Sequence, residues 1–298
     1  MIKVNILWQI GKVGGGGNQF LKTLKRYFVN KRVYVEDPRL ADVLLVNSKD
    51  YLKEASEFNT RKRIHRIDGI FKMYRGEEHY NLDLQVYDFA RKYADGVIFQ
   101  SEWSREQSKK NGMSDSNIET VIFNCADDKY FNIQNKFNNQ NGKTRLITSS
   151  WSSNWKKGFK IYEFLDRNLD FNKYEYVFVG RSPIQFKNIQ MKGVMSSKQL
   201  AEELKKSDIF VTATENDACS NSVVEALSCG LAVIGKNSGG TPEIIKGRGD
   251  LFSDFSDVIQ NIDGLSEKVK KKKHNIKAPS VDSVGKKYYD FIKKVYAT

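Results

Sequence analysis

The chain has 298 residues, 40% of them hydrophobic and 12% aromatic, enough for packed cores and too apolar for a disordered chain. Forty-nine Lys and Arg against 36 Asp and Glu leave a formal charge of +13. That charge favours anionic partners (phosphates, nucleic acid or an anionic membrane surface), or it is simply a lysine-rich solvated surface.

At roughly 150 residues per domain the length suggests two domains. Four prolines exclude long Pro-rich linkers. The three cysteines, Cys125, Cys219 and Cys229, are odd in number, and no pair has metal or redox spacing, so a reducing, cytoplasmic compartment fits. Met1–Trp8 reads as a strand rather than a signal peptide, and no stretch approaches the ~18 apolar residues of a membrane span. Contact with a membrane would be peripheral.

In chain order, Val4–Ile10 reads as a strand and Gly14–Gly17 as a turn. Phe20, Leu21, Leu24 and Phe28 have helical spacing over Asn18–Val29. Arg32–Val35 and Val43–Val46 are short β-branched runs. Leu82–Tyr93 is an amphipathic helix, Val97–Phe99 a strand, Glu102–Lys110 a helix stopped at Asn111-Gly112, and Val121–Phe123 a strand. Residues 132–143, rich in Asn and Gln, read as a linker. The alternation then restarts: strand Arg145–Thr148, helix Phe159–Leu169, strand Tyr176–Val179, helix Ser197–Lys206, strand Ile209–Thr212, helix Asn221–Ser228, strand Leu231–Ile234. Lys268–His274 is a charge run, a solvated face or an anion-steering and membrane-surface element. Ser280–Tyr296 is a last amphipathic helix capped by Ser280. Two strand–helix–strand series imply two doubly wound α/β domains with parallel sheets, whose ligands sit beyond the carboxyl ends of the strands.

Two glycine-bearing turns stand at such ends. Gly14-Gly15-Gly16-Gly17 strips side chains from a turn before a helix, so a ligand can approach bare backbone. An NAD-dependent oxidoreductase would use such a turn with Glu36 or Asp37 on the ribose. The G-x-G-x-x-G pattern fails, however, because Gln19 stands in the third position. The second turn is richer. After the strand comes an acid, Asp217, then the small residues Ala218, Cys219, Ser220, Asn221 and Ser222, then a helix carrying Glu225. Bare N–H groups at a helix start hold phosphate, and flanking carboxylates hold hydroxyls. A sugar on one side and a ribose on the other is the economical reading. Ser238-Gly239-Gly240 makes a further small-residue turn toward the same space.

This segment resembles the nucleotide-binding signature of GT-B glycosyltransferases of family 4 type. Asp217 and Glu225 are separated by seven residues, and Glu225-Ala226-Leu227-Ser228-Cys229-Gly230, Leu231-Ala232-Val233-Ile234 and Gly239-Gly240-Thr241-Pro242-Glu243 follow. The likeness continues in Ala94-Asp95-Gly96-Val97-Ile98 with Ser101, in Val121-Ile122-Phe123-Asn124 with Asp127 and Phe131, and in Trp155-Lys156-Lys157-Gly158. Four positions depart from the family pattern: Asp217 where Glu is usual, Phe123 and Cys125 where Pro and Gly are common, and Ser152 where an Arg usually stands.

The resemblance implies a GT-B fold, two Rossmann-like domains facing a central cleft, with residues 1–135 on the acceptor side and 144–280 binding the donor. The last helix, 281–298, would return to the first domain. It implies a hexosyltransferase that retains anomeric configuration, in polysaccharide biosynthesis of the compact bacterial or virus-encoded kind. The substrates would be a nucleotide-sugar donor, GDP-mannose being slightly favoured over UDP-glucose, and a glycan or lipid-linked acceptor. It further implies that Lys157 neutralises the donor diphosphate, Asp217 meets the sugar, Cys219, Ser220, Asn221 and Ser222 meet sugar and phosphate, and Glu225 meets the ribose. Gly193, Val194 and Met195 sit where the base stacks, Gly14, Gly15 and Gly16 admit the donor, and Arg181 is the candidate substitute for the missing Arg.

Ile64-His65-Arg66-Ile67-Asp68-Gly69 ends a short basic strand. Arg66 and Asp68 are candidates for acceptor or donor sugar, and His65 for a general base. Alternatively His65 points into the sheet and Asp68 caps a turn. Trp103, Trp151 and Trp155 offer stacking surfaces or fill the core. No D-x-D motif is present, so no tightly bound cofactor and no divalent metal are expected, and no nucleic-acid motif accompanies the charge.

Overall fold

The computed structural model describes residues 1–7, 16–116, 118–136, 142–271 and 278–298. They form two units, Met1–Cys125 together with Pro279–Thr298, and Ala126–Ala278.

The first unit begins with strand β1 (Val4–Leu7), helix α1 (Gly16–Asn30), β2 (Val43–Asn47) and α2 (Leu52–Glu57). It continues through β3 (Lys62–Ile67), α3 (Phe71–Arg75), α4 (Tyr80–Tyr93), β4 (Gly96–Phe99), α5 (Glu102–Lys110) and β5 (Glu119–Val121). The strands are parallel, in the order β1-β2-β3-β4-β5. Strand alternation sends Val43, Leu45, Ile64 and Ile98 to one face, where they pack with Phe20, Leu24 and Phe28 of α1. Leu44, Val46, Val97 and Phe99 go to the other face, against residues of α2 and α4. The run Arg32–Val35 does not become a full strand. Arg32 takes a left-handed φ of 56° straight after α1, and only Tyr34 bridges to Val4.

The second unit contains β6 (Thr144–Ser150), α6 (Phe159–Asn168), β7 (Tyr174–Gly180), β8 (Gln190–Met191), α7 (Ser197–Lys205) and β9 (Ile209–Thr212). It goes on to α8 (Asn221–Ser228), β10 (Ala232–Lys236), α9 (Thr241–Ile245), β11 (Gly249–Phe252) and α10 (Phe255–Lys270). Its sheet runs β11-β10-β9-β6-β7-β8, again parallel. This is the doubly wound order in which the chain works outward first to one side of β6 and then to the other. The switch point therefore lies between β6 and β9, where such sheets open a crevice. Phe159, Tyr162 and Leu165 of α6 and Val258, Ile262 and Leu265 of α10 fill one core with residues of all the central strands.

Helix α11 (Val281–Tyr296) returns to the first unit. Ser280 caps it by accepting from Ser283 N, and Tyr288, Phe291, Ile292 and Val295 join the core against α1. The lysine run belongs in part to α10: Lys268 and Lys270 lie in its last turn, where cations suit the helix dipole. Lys268 pairs with Asp250, and Lys270 and Lys271 pair with Glu267. Residues 272–274, including His274, lie outside the described residues. The Asn/Gln-rich stretch is anchored rather than free over its described part: Lys205 donates to Asn132, and the Lys136 ammonium donates to the carbonyl of Gly230.

Candidate functional site

The carboxyl ends of β6 and β9 bring two charged side chains together. Past β6 the chain makes a single 3-10 turn, Trp155–Lys157, capped by Asn154, whose side chain accepts from Lys156 N. Gly158 then takes a φ of 91° and lies against the end of β9: a Cβ there would stand 2.2 Å from that of Ala213. Only glycine allows that approach. Past β9, Glu215 N donates to Lys156 O at 2.8 Å. As a result Lys157 Nζ sits 3.3 Å from Asp217 Oδ2 at the sheet's switch point, with one third of the lysine side chain and one quarter of the aspartate exposed. The pair is open enough for the ammonium to direct its other donors at a ligand.

Asp217 is held from several sides. Its Oδ1 accepts from Cys219 N at 3.2 Å, and its carbonyl accepts from Gly240 N at 2.8 Å. Asn216 N donates to Ser238 Oγ at 3.1 Å. Gly239, φ 64°, packs so closely that a Cβ would lie 2.4 Å from Asp217 O. The Ser238-Gly239-Gly240 turn thus acts as a backbone clamp on the acid. Cys219 and Ser220 are buried beneath the loop. Ser220 occupies the N-cap of α8 without a side-chain cap bond, its hydroxyl pairing with that of Ser222 at 3.0 Å. An uncapped helix start leaves backbone donors for an anion.

Asn221 and Ser222 open α8, and Glu225 follows one turn later. The Glu225 carboxyl has no hydrogen-bond or ion-pair partner among the described residues. It keeps some contact with solvent, yet its surroundings desolvate it enough to lift its pKa to about 8. Such an acid gains its charge when hydroxyl or N–H donors arrive.

Arg181 directly follows β7. Its side chain is exposed and has no partner among the described residues, while its N–H donates to Ser150 O at 2.9 Å. Ser150 also ties Ser152, its hydroxyl donating to Ser152 O at 2.8 Å. Arg181 and Ser152 are thereby anchored on one residue at the end of β6. Gly180 N donates to Gly193 O at 2.7 Å, which holds the Val194-Met195 loop beside Arg181. Val194 is half exposed. Trp155 is likewise half exposed, its ring edge-on to Phe159 at 6.2 Å.

In the first unit the strand His65-Arg66 is corrected in part. Both side chains are fully enclosed, so neither presents itself to an acceptor. Alternation separates them. His65 stands edge-on to Phe89 at 4.9 Å with Nε2 2.6 Å from Ser48 O, and burial lowers its pKa to about 4, so it is neutral and shielded from solvent. Arg66 points to the opposite face, beneath the Phe20 ring at 4.8 Å. There Nε donates to Tyr288 at 3.0 Å, Nη1 to Asn47 at 2.7 Å and to Asp68, and Nη2 to Asn124 at 2.7 Å. Asp68 also accepts from Asn47 at 3.2 Å and from Gln100 at 2.9 Å, and one third of its side chain is exposed. Asp68 is the open tip of a buried polar network.

Sequence reasoning missed Asn47, Gln100, Asn124 and Tyr288. A signal for the first three existed, a polar residue just past each of the predicted apolar runs Val43–Val46, Val97–Phe99 and Val121–Phe123. Gly14 and Gly15 lie outside the described residues, and Gly16 opens α1 in the first unit. The acids proposed for a nicotinamide cofactor already have partners: Glu36 with Lys25 at 2.8 Å, and Asp37 with Arg39 at 2.7 Å. Among the described residues, no group of three or more His, Cys, Asp or Glu is arranged to hold a metal ion.

Residues 132–277 match the family described as "Glycosyl transferases group 1". No curated protein matches the chain. Among solved structures, HepE of Anabaena in complex with UDP-glucose aligns over 100% of this chain and 99% of its own, at 15% identity and a TM-score of 0.70. AviGT4, a glycosyltransferase involved in avilamycin A biosynthesis, aligns over 100% and 98%, at 12% identity and 0.69. A glycosyltransferase from Rickettsia africae aligns over 98% and 97%, at 15% identity and 0.67. These likenesses establish the fold. With two parallel-sheet units of the GT-B kind, and with residues 132–277 belonging to the glycosyl transferases group 1, the chain is a GT-B glycosyltransferase.

Proposed function

We propose that the chain moves a sugar from a nucleoside diphosphate sugar to a hydroxyl of a glycan or lipid-linked glycan, with retention of anomeric configuration. The observation that carries this reading is the Lys157–Asp217 pair at the switch point beside the uncapped start of α8. As the glycosidic bond breaks, its electrons pass to the departing phosphate oxygen. Lys157, Arg181 and the α8 backbone around Asn221 and Ser222 stabilise that charge. Asp217 and the Cys219–Ser220 backbone hold the sugar, Glu225 the ribose, and Val194 and Met195 the base. The acceptor hydroxyl adds on the same face and gives its proton to the phosphate. Asp68 is assigned to the acceptor side, and the residues Gly14, Gly15 and Gly16 to donor approach.

The protein supplies the positive charge itself, so the reading requires no divalent metal. The HepE complex favours UDP-glucose over GDP-mannose as donor. Three buried cysteine thiols suit a cytoplasmic setting, and the +13 charge suits peripheral contact with an anionic membrane. Among the described residues no helix is long and apolar enough to cross one.

Thermal unfolding against UDP, GDP, ADP, UDP-glucose, GDP-mannose and NAD, with and without EDTA, tests the reading. A ligand at about 100 times its Kd adds roughly 2.7 kcal/mol, several degrees in Tm. One nucleoside diphosphate and its sugar should raise Tm regardless of EDTA, and Lys157→Ala should lower turnover roughly 10²- to 10³-fold. Arg181→Ala should weaken that nucleotide, and Ser152→Arg in the same background should restore it. A shift with NAD alone, or full turnover in the Lys157 variant, would overturn the assignment.

A further inference from the structure

The second unit carries a second concavity, away from Lys157 and Asp217. It encloses about 770 Å³ between residues 129–135 and helix α7, lined by Lys129, Tyr130, Lys198, Ala201, Lys205 and Lys206 among others. The size falls in the range of small-ligand sites. Its position is at the amino ends of the strands: neighbouring Lys136 donates to Gly230 O past the end of α8 and is coupled to Asp208 just before β9.

Four lysines line the concavity against one acid, Glu202. Lys206 is compensated by Glu203 at 3.3 Å. Lys129, Lys198 and Lys205 have no carboxylate partner among the described residues, in contrast to Lys173, Lys192, Lys236 and Lys268 of the same unit. Lys205 is instead aimed by the side-chain oxygen of Asn132 at 2.9 Å, and Lys129 lies over the Tyr130 ring at 5.2 Å. The floor is less polar, formed by the Tyr130 ring, the buried Ala201 and the aliphatic lysine stems. Converging ammonium groups over such a floor fit a phosphate monoester or diester carried on a small polyol.

We propose that this concavity is a second anion site, separate from the donor site, that binds a glycerol-phosphate-like group through Lys129, Lys198 and Lys205. The group reaches it either as a soluble phosphorylated polyol or as a lipid headgroup. The proposal stands independently of the donor reading, because no residue is shared.

The test uses the full chain carrying Lys157→Ala, so that phosphate binding at the donor site does not enter. Calorimetric titration with glycerol phosphate probes the free form. Sedimentation with phosphatidylglycerol–phosphatidylcholine vesicles, against phosphatidylcholine alone, probes the headgroup. Lys198→Gln/Lys205→Gln should weaken binding at least about tenfold, since it removes two charge-assisted donors to the phosphate. A control with the same charge loss elsewhere on the unit, Lys160→Gln/Lys187→Gln, should stay within about twofold. Binding of glycerol phosphate, of vesicles or of both that follows this pattern supports the site and names the source. No binding of either probe, equal loss in both double variants, or unchanged binding in the Lys198/Lys205 variant overturns it. Circular dichroism and Tm confirm that both variants fold.

Discussion

Glu225 is the residue whose chemistry is most exposed to pH. Desolvation raises its carboxyl from 4.5 to about 8 in the folded chain. Between those values the native state keeps a proton that the unfolded state has lost, so this residue makes folding less favourable as pH rises through the window. Ribose hydroxyls donating to the carboxylate favour the ionised form, so nucleotide binding expels the proton and affinity rises toward pH 8. Glu225→Gln should unfold at the wild-type Tm at pH 5 and above it at pH 8.5, while losing nucleotide affinity most at the higher pH. Parallel Tm and affinity profiles for the two proteins across that range would remove the carboxyl from this role. The spacing from Asp217 made Glu225 visible in the sequence. Its desolvation was not visible, because burial is set by tertiary packing that spacing along the chain does not carry.

At the scale of elements, regularity of pattern decided what could be read. Helix α8 occupies Asn221–Ser228, the span predicted, because its apolar spacing is bounded by small polar residues before and Gly230 after. Helix α10 also has a helical pattern, Val258, Ile262, Leu265 and Val269, but its last turn merges with the lysine run, whose charge masks that periodicity. At the end of its strand, alternation separates His65 from Arg66 only in part on sequence grounds, and it could not show what each would meet. The partner of Arg66 Nε is Tyr288, 222 residues on in the sequence. That bond gives α11 a share in holding Asp68, and it can be removed without cutting the core. Tyr288→Phe should leave a buried donor unpaired and cost about 1–3 kcal/mol in urea unfolding. It should reduce turnover through Asp68 while leaving nucleotide affinity at the wild-type value. Unchanged stability and turnover would mean that the hydroxyl positions nothing.

For the whole molecule, alternating patterns were enough to expect two parallel-sheet halves, since each strand–helix–strand series admits few topologies. The strand orders were not legible, because pairing between strands is set by packing across the sheet. The order in the second unit nevertheless explains why its two charged residues meet: Lys157 and Asp217 follow the two strands that flank the reversal. The first unit depends on a segment made long after the rest of it. Deleting residues 281–298 strips Tyr288, Phe291, Ile292 and Val295 from its core. Hydrogen exchange should then show amides of β1 to β4 losing protection while those of β6 and β9 keep theirs. Equal loss in both sheets would show that the two units unfold together.

The return of α11 also has a consequence for synthesis. A ribosome that has released Cys125 must still make all of residues 126–278 before it reaches the helix that closes the first core. At about 5–20 residues per second that takes roughly 8 to 30 seconds. Throughout that interval the faces of Phe20, Leu24 and Phe28 that α11 will cover stand open to water, while the second unit can complete its own core without waiting. The nascent first half is therefore the part of this enzyme most in need of a chaperone, and slower translation prolongs that need.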